Sequence, residues 1–256
     1  MNLSCPTCRV PLQRQMTKLT CPLCHVSPLS APSHYDFSPW FVQMRDCERE
    51  RVSLAYRFYS LAYAPLALIN MLAVWKASLG KLTTHYQQTL KAATHPILDV
   101  AIGDGALTRL ATRSLALPHP LVGLDVSRDM LSQAESNLNH LPGFVSVRAD
   151  ACALPFPGQE FQTVCCFGGL HVIAHPERAM AEMARVLRSG GRFAASILLI
   201  PHGRVSDYLS RRYVELGFLS TRFTRTNAEA LVQQSGLDLI DTHLNGRMLL
   251  VSARKP

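Results

Sequence analysis

The chain has 256 residues, which is enough for one substantial α/β domain with a small appendage. An apolar share of 48% is ordinary for a globular protein and excludes collagen-like and low-complexity classes. The formal net charge is +8, and no basic run is longer than two residues. This charge is compatible with RNA or a lipid surface, but a modestly basic soluble protein is the simpler interpretation.

The chain contains eight cysteines, four of them in its first 24 residues. The segment Met1 to Pro6 has neither the charged region nor the apolar stretch of a secretory signal. We therefore predict a reducing, cytoplasmic setting, in which paired cysteines are available as thiolate ligands.

Two Cys-x-x-Cys pairs, separated by twelve residues, predict a zinc ribbon over residues 1–28. The predicted ligands are Cys5, Cys8, Cys21 and Cys24, and His25 is an open alternative to the fourth. Four protein ligands leave no position for a substrate, so the Zn²⁺ is expected to be structural. A segment this short folds poorly without a metal.

Residues 29–94 are predicted as a linker followed by a helical lid. Ser27 to Pro39 is rich in proline and serine, which is typical of a linker, and Trp40 to Thr94 has a helical pattern. The eighteen residues from Phe58 to Trp75 carry no charge, which is the lower limit for a membrane span. Pro65 and the polar residues Ser60 and Asn70 argue against a transmembrane span, and we expect a helix pair that packs over the main domain as a lid. A lid that faces an apolar or lipid-like substrate is the more specific hypothesis.

From residue 95 onward, short apolar runs alternate with amphipathic segments, which predicts an α/β domain over residues 95–256. The strand Pro96 to Ala101 leads into a glycine turn and a helix, and the strand Leu121 to Asp125 follows. Such a βαβ unit binds a nucleotide at the carboxyl ends of its strands. Asp125, twenty residues after Gly105, is placed to accept hydrogen bonds from ribose hydroxyls.

The glycine turn differs from that of a dinucleotide site. A single residue separates Gly103 from Gly105, and Ala101 stands where a third glycine is expected. With Asp99 and Asp104 beside it, the turn is unsuited to a pyrophosphate. It suits a ligand that carries a cationic sulfonium and an α-amino group, and Asp99 is expected to engage that amino group directly or through water.

Over about residues 50–255 the chain resembles the class I S-adenosylmethionine-dependent methyltransferases, and within them the ubiquinone and menaquinone biosynthesis C-methyltransferases. The matching blocks are residues 97–105 (apart from Ala101), 123–131, 148–156, 161–169 and 176–193. The resemblance implies a Rossmann-like sheet of seven strands and S-adenosylmethionine as the cofactor.

The resemblance also implies roles for single residues. Asp125 binds the ribose, Met130 packs near the adenine, Asp150 accepts from the adenine amino group, and Ala151 supplies a backbone amide. The full expected cofactor-binding set is Asp99, Ala101, Gly103, Gly105, Asp125, Val126, Met130, Asp150, Ala151 and Phe167.

Residues 167–172, after the fourth strand of the domain, are expected to face the transferred methyl group. His171 is the candidate catalytic base, although it could equally be a histidine satisfied by backbone hydrogen bonds. The chain has no Asp/Asn-Pro-Pro-aromatic motif and no Pro-Cys at this position. The first absence argues against methylation of the exocyclic amino group of adenine or glutamine by the family that carries that motif, and the second argues against attack by cysteine on a pyrimidine.

Three functions are consistent with the sequence. The first, which we favour, is methylation of a small or lipophilic metabolite on carbon or oxygen. The second is methylation of ribosomal RNA, because the N-terminal cysteines resemble those of the large-subunit rRNA guanine-N1 methyltransferases. In that family the ribbon helps to recognise RNA, and the corresponding ligands are Cys5, Cys8, Cys21 and His25. The third is a cofactor-binding protein without catalysis, suggested by Ala101.

Five arginines near the C-terminal part would suit phosphate contacts in the RNA hypothesis, or would form a solvated helical face. They are Arg204, Arg211, Arg212, Arg222 and Arg225. The acceptor atom and the oligomeric state stay open.

Overall fold

The structure of the protein is a computed structural model. It describes residues 1–15, 18–31, 34–41, 75–93, 96–115, 117, 120–200, 214 and 219–256. The helices are α1 (Ser38–Phe41), α2 (Leu79–Lys91), α3 (Ala106–Thr112), α4 (Arg128–Asn137), α5 (Pro176–Val186) and α6 (Arg225–Gln234). The strands are β1 (Gln13–Gln15), β2 (Lys18–Thr20), β3 (Leu29–Ala31), β4 (His34–Asp36), β5 (Ile97–Val100), β6 (Leu121–Asp125), β7 (Val145–Arg148), β8 (Phe161–Phe167), β9 (Leu187–Leu198), β10 (Asp238–Asn245) and β11 (Met248–Arg254).

The main sheet has the order β10-β11-β9-β8-β5-β6-β7-β4-β3 within the described part of the chain. Neighbours from β9 to β7 run parallel, and β11 is antiparallel to both β9 and β10. The seven strands β5 to β11 confirm the predicted Rossmann-like sheet. The strand order reverses at β5, where α/β sheets of this kind bind their ligands.

Helices cover both faces of the sheet, which explains why β5 and β6 are buried along their whole length. On one face, apolar side chains of α2, α3 and α4 meet the sheet around Tyr86, Leu90 and Leu131. On the other face α5 and α6 pack through residues such as Met183 and Leu231. Two buried layers therefore hold the carboxyl ends of the central strands in place.

The segment predicted as a linker is sheet in part. Strand β4 pairs in parallel with β7, with His34 opposite Ser146 and Asp36 opposite Arg148, and β3 pairs antiparallel with β4. The prolines and serines suggested a solvated connection, but the short segment His34–Asp36 pairs with the edge of β7 that would otherwise be free. Arg148 also donates to Asp36 Oδ2 at 3.3 Å.

The predicted lid lies largely in residues 42–74, outside the described residues. Its described portions are α1 and α2, and both belong to the body of the domain. Trp40 of α1 is 2% exposed, and Tyr86 of α2 is fully buried. Among the described helices none is long and apolar enough to cross a membrane.

Candidate cofactor and metal sites

The glycine turn after β5 has an alternating left-handed backbone. Ala101, Gly103 and Gly105 have φ values of 56°, 60° and 72°. Gly103 has open space where a Cβ would stand, whereas a Cβ on Gly105 would come within 3.2 Å of the Ala134 backbone. The first glycine thus leaves room for a ligand, and the second lets α3 start close against α4. Ala101 adopts the glycine-like conformation despite its methyl group.

Asp125 lies at the carboxyl end of β6, as predicted, and joins the two halves of the crevice. Its Oδ2 accepts from the Gly103 amide at 2.9 Å, and its Oδ1 accepts from the Ser127 amide at 2.9 Å. Burial raises the pKa of this carboxyl, and the two amides partly offset the shift. Asp125 therefore fixes the position of the glycine turn relative to β6.

Asp99 is held by two hydroxyl groups that the sequence did not indicate. Tyr86 Oη and Thr108 Oγ1 both donate to Asp99 Oδ2, the second at 2.9 Å. The residue is 2% exposed, and burial raises the pKa of its carboxyl to about 6 despite these hydrogen bonds. The carboxyl is thus positioned by α2 and α3, which pack together on one face of the sheet.

The segment that follows β7 carries Asp150 and Ala151 and is called the β7 loop below (Asp150–Phe156). Asp150 Oδ1 accepts from the Cys152 amide at 2.7 Å, which closes a tight turn. Ala151 is 9% exposed. Because β7 is adjacent to β6, this loop lies beside the end of the strand that carries Asp125.

Two other predicted cofactor contacts differ sharply in their exposure. Val126 is 44% exposed and follows Asp125 directly, whereas Met130 is buried in the first turn of α4. The Met130 amide donates to Ser127 Oγ at 3.3 Å, which caps the helix. Val126 presents accessible apolar surface, and Met130 packs into the interior.

Phe167 is the last residue of β8, and His171 lies four residues further along the chain. The Phe167 ring stacks on Tyr86 with centroids 4.3 Å apart, so it is tied to the helix that holds Asp99. His171 is 4% exposed, and its Nδ1 has no hydrogen-bond partner among the described residues. Its ring meets Trp75 edge-on at 6.3 Å. Burial lowers the pKa of the imidazole to about 4, so the ring is neutral at pH 7.

The four predicted cysteine ligands come together. The Sγ atoms of Cys5, Cys8, Cys21 and Cys24 all lie within 4.8 Å of one another, and His25 is outside this group. Four thiolates at this separation fit a tetrahedral metal such as Zn²⁺. The Cys8 and Cys24 amides donate to the first sulfur of their own turns, at 3.3 and 3.5 Å. We call the described residues of the first 28 the cysteine module.

The cysteine module is packed into the domain. Cys5 and Cys21 are fully buried and share an apolar cluster with Phe37 and Trp40, and Trp40 Nε1 donates to Cys5 Sγ at 3.2 Å. Asn2 donates through its amide to Glu160 at 2.8 Å. The module is thus continuous with the core on the α5 side of the sheet.

The fold and this crevice together define a site for an adenosyl cofactor at the switch point of an α/β sheet. Comparison with known proteins agrees, since residues 98–195 match the family described as a methyltransferase domain. The 2-phytyl-1,4-naphtoquinone methyltransferase of Thermosynechococcus vestitus is 34% identical over 181 residues, covering 62% of this chain and 80% of the relative. The ubiquinone/menaquinone biosynthesis C-methyltransferase UbiE of Stutzerimonas stutzeri is 36% identical, covering 53% of this chain.

This chain belongs to the class I S-adenosylmethionine-dependent methyltransferases. It spans about half of the UbiE relative, 54% of its length. A Haemonchus contortus phosphoethanolamine N-methyltransferase, solved with S-adenosyl-L-methionine, has the same fold with a TM-score of 0.59 and 16% identity, covering 69% of this chain and 52% of that one. The matched family segment does not include the cysteine module.

Sequence reasoning missed several residues that complete these sites. Tyr86 was hidden because it falls at helical spacing with Leu82 and Leu90, a pattern typical of a packing face. Trp40 was assigned to the lid, and its indole contact with Cys5 depends on the fold of the chain. Thr108 carries no motif at all. None of the three had a signal that distinguishes a polar contact from packing.

Proposed function

We propose that this protein transfers the methyl group of S-adenosylmethionine to carbon or oxygen of a small or lipophilic acceptor. The observation that carries the proposal is His171, a buried neutral imidazole whose Nδ1 is unpaired among the described residues, at the carboxyl end of β8. An unpaired buried acceptor is costly unless a ligand satisfies it. The alternative, a ring satisfied by backbone hydrogen bonds, has less support, because Nδ1 has no partner among the described residues. The Ser220 and Thr221 amides donate to the main-chain carbonyl of His171, at 2.8 and 3.3 Å.

In this proposal the cofactor lies across the glycine turn. Asp125 holds the ribose, Asp99 engages the α-amino group, and Gly103 leaves space for the chain between them. Asp150 and Ala151 contact the adenine. Val126 borders the same crevice, and Met130 supports it from the interior.

The proposed chemistry is an in-line displacement. The acceptor atom attacks the methyl carbon, the C–S bond breaks, and its electron pair stays on sulfur. An acceptor hydroxyl passes its proton to His171 as the new bond forms, and proximity supplies much of the rate. The surroundings of the ring favour an apolar acceptor, because Trp75, Phe167, Leu198 and Met248 belong to the adjoining apolar cluster. The quinone-pathway names of the two relatives support the same acceptor class.

The cysteine module is proposed to hold one structural Zn²⁺ through Cys5, Cys8, Cys21 and Cys24. The cluster geometry and the all-sulfur donor set support it. The cytoplasmic setting stays a prediction.

The ribosomal RNA alternative has less support. Of the five arginines that would suit phosphate, Arg225 donates to Glu229 at 2.8 Å and to Thr242 at 3.0 Å, so its charge is used within the domain. Arg204, Arg211 and Arg212 lie outside the described residues.

The test is methyl transfer from labelled cofactor into a cell extract that is then divided into lipid-soluble, small polar and RNA fractions. We expect label in the lipid-soluble or small-molecule fraction, and none with the Asp125→Ala variant, which loses most of its cofactor affinity. Label that appears only in RNA overturns the acceptor class. Label in no fraction, together with cofactor binding, favours the non-catalytic alternative that Ala101 suggested.

A further inference from the structure

One side of the β7 loop (Asp150–Phe156) is bound through its backbone to two side chains of α5. The Leu154 amide donates to Glu182 Oε2 at 2.9 Å. Arg185 donates to the carbonyls of Leu154 and Phe156 at 3.2 and 2.9 Å. These contacts hold Leu154 and Phe156 in place, four and six residues after Asp150.

Glu182 is the centre of this arrangement. It is 8% exposed, and Arg185 donates hydrogen bonds to both of its carboxylate oxygens, each at 2.9 Å. Arg9 donates to Oε2 from the cysteine module at 2.6 Å. Burial would raise the pKa of Glu182, but the hydrogen bonds from Arg185 and Arg9 outweigh it and lower the pKa. Two arginines from different parts of the chain therefore share one buried carboxylate.

The position of Arg9 is set by the first cysteine turn. Its amide donates to the Cys5 carbonyl at 2.9 Å, and its φ is 61°. A left-handed arginine is unfavourable by itself and persists only where the surrounding turn requires it. A metal on Cys5 and Cys8 would hold that turn closed. A second link is close by, since the Ser4 amide donates to the Pro155 carbonyl at 3.0 Å.

We propose that Arg9 and Glu182 are positioning residues for the cofactor. The cysteine module fixes Arg9 against Glu182, and Glu182 together with Arg185 fixes the loop that carries Asp150. This inference rests on the proposed assignment of the loop to the adenine. In this proposal the cysteine module helps to position the methyltransferase site of its own chain.

The first test compares two variants of the metal-loaded full chain, Arg9→Ala and Arg14→Ala. Both remove one positive charge from the module, and Arg14 is an exposed residue of β1 with no contact to Glu182 or the loop among the described residues. Affinity for S-adenosylhomocysteine is measured by calorimetry, with zinc content and melting temperature as checks. We expect Arg9→Ala to bind about threefold to tenfold more weakly, the range for residues that act on a site through a network. The effect is modest because Arg9 is 44% exposed.

A third variant and an exchange measurement separate positioning from general destabilisation. Arg9→Lys keeps the single charged contact to Glu182 and is expected to restore most of the affinity. Hydrogen exchange at the Leu154 amide is expected to be faster in Arg9→Ala than in Arg14→Ala. Removing the metal from the unaltered chain is expected to weaken binding by at least as much as Arg9→Ala.

The inference is overturned if Arg9→Ala, with its metal and fold intact, binds S-adenosylhomocysteine as tightly as the unaltered chain. It is also overturned if the two variants lose affinity equally. The proposed function fails in a different way, because then the unaltered chain binds no cofactor or Asp125→Ala binds it normally.

Discussion

Ala101 and Gly169 are complementary across the carboxyl ends of β5 and β8. A Cβ added to Gly169 would lie 2.6 Å from the Ala101 Cβ and 2.8 Å from Cys166 Sγ, so the absence of a side chain at residue 169 makes room for the methyl group at residue 101. The family's usual glycine is replaced at one position, and a glycine stands at the position it touches.

We predict that Gly169→Ala destabilises the protein by about 1–3 kcal/mol, the usual cost of overpacking a buried site. Ala101→Gly is expected to be within about 1 kcal/mol of neutral, since relief of the left-handed strain is offset by the entropy of a glycine. Urea unfolding measures both.

The double variant provides the control for this contact. Gly169→Ala is expected to cost at least about 0.5 kcal/mol less when residue 101 is glycine, because one of the two clashes is gone. An equal cost in both backgrounds would show that Ala101 and Gly169 do not interact.

Cofactor affinity is predicted to depend on pH through Asp99. Its pKa of about 6 in the free protein means that the carboxyl must lose a proton to meet the cationic amino group. Affinity should therefore rise with pH up to about 7 and fall toward tenfold per pH unit below about 6. Calorimetry in two buffers of different ionisation enthalpy should detect proton release near pH 6. A pH-independent affinity between pH 5 and 8 would contradict the assignment, and Asp99→Asn supplies the matched reference.

His171 should affect catalysis and stability separately. His171→Phe is expected to lower methyl transfer by about a hundredfold or more while leaving cofactor affinity unchanged. The folded pKa of about 4 lies below that of an unfolded histidine, about 6.5. The unfolded chain therefore takes up the proton first, and the stability due to the neutral ring is lost as pH falls from about 6.5 toward 4.

The stability lost through His171 should approach about 3 kcal/mol as the pH reaches about 4. It is isolated as the difference in unfolding free energy between the unaltered chain and His171→Phe. Asp99 acts with the opposite sign, because its raised folded pKa makes the free protein bind a proton between about pH 6 and 4. A difference that does not change with pH would refute the buried neutral state of His171.

Metal content distinguishes the two candidates for the fourth ligand. Cys24→Ser is expected to lose the zinc, and His25→Ala is expected to retain about one per chain. Trp40 should report the same event, since its indole lies on Cys5 Sγ and is buried. With Trp75→Phe removing the second tryptophan, chelation should shift the Trp40 emission to longer wavelength. Zinc loss in His25→Ala alone would reverse the ligand assignment.

The positions of the glycine turn and of Asp125 at the carboxyl ends of β5 and β6 could be predicted from the sequence because each step depended on local spacing. The position of Asp125 could be predicted from the usual lengths of a strand and a helix. The close approach of the two sulfurs in each Cys-x-x-Cys turn could be predicted from the short backbone between them. The contacts that escaped prediction join residues far apart in the chain, such as Arg9 with Glu182 and Trp40 with Cys5. The linker prediction failed for the same reason, since a three-residue strand carries little pattern and β4 exists only because β7 offers an edge.

The parallel pairing of β4 with β7 has a practical consequence for dividing this protein. The sequence suggested a catalytic unit that starts at residue 95, but cutting there would unpair the backbone of β7 and expose the apolar surface now covered by Phe37 and Trp40. Unpaired strands beside exposed apolar surface promote self-association. A shortened chain would therefore be expected to aggregate, and its failure to act would say nothing about what the cysteine module recognises.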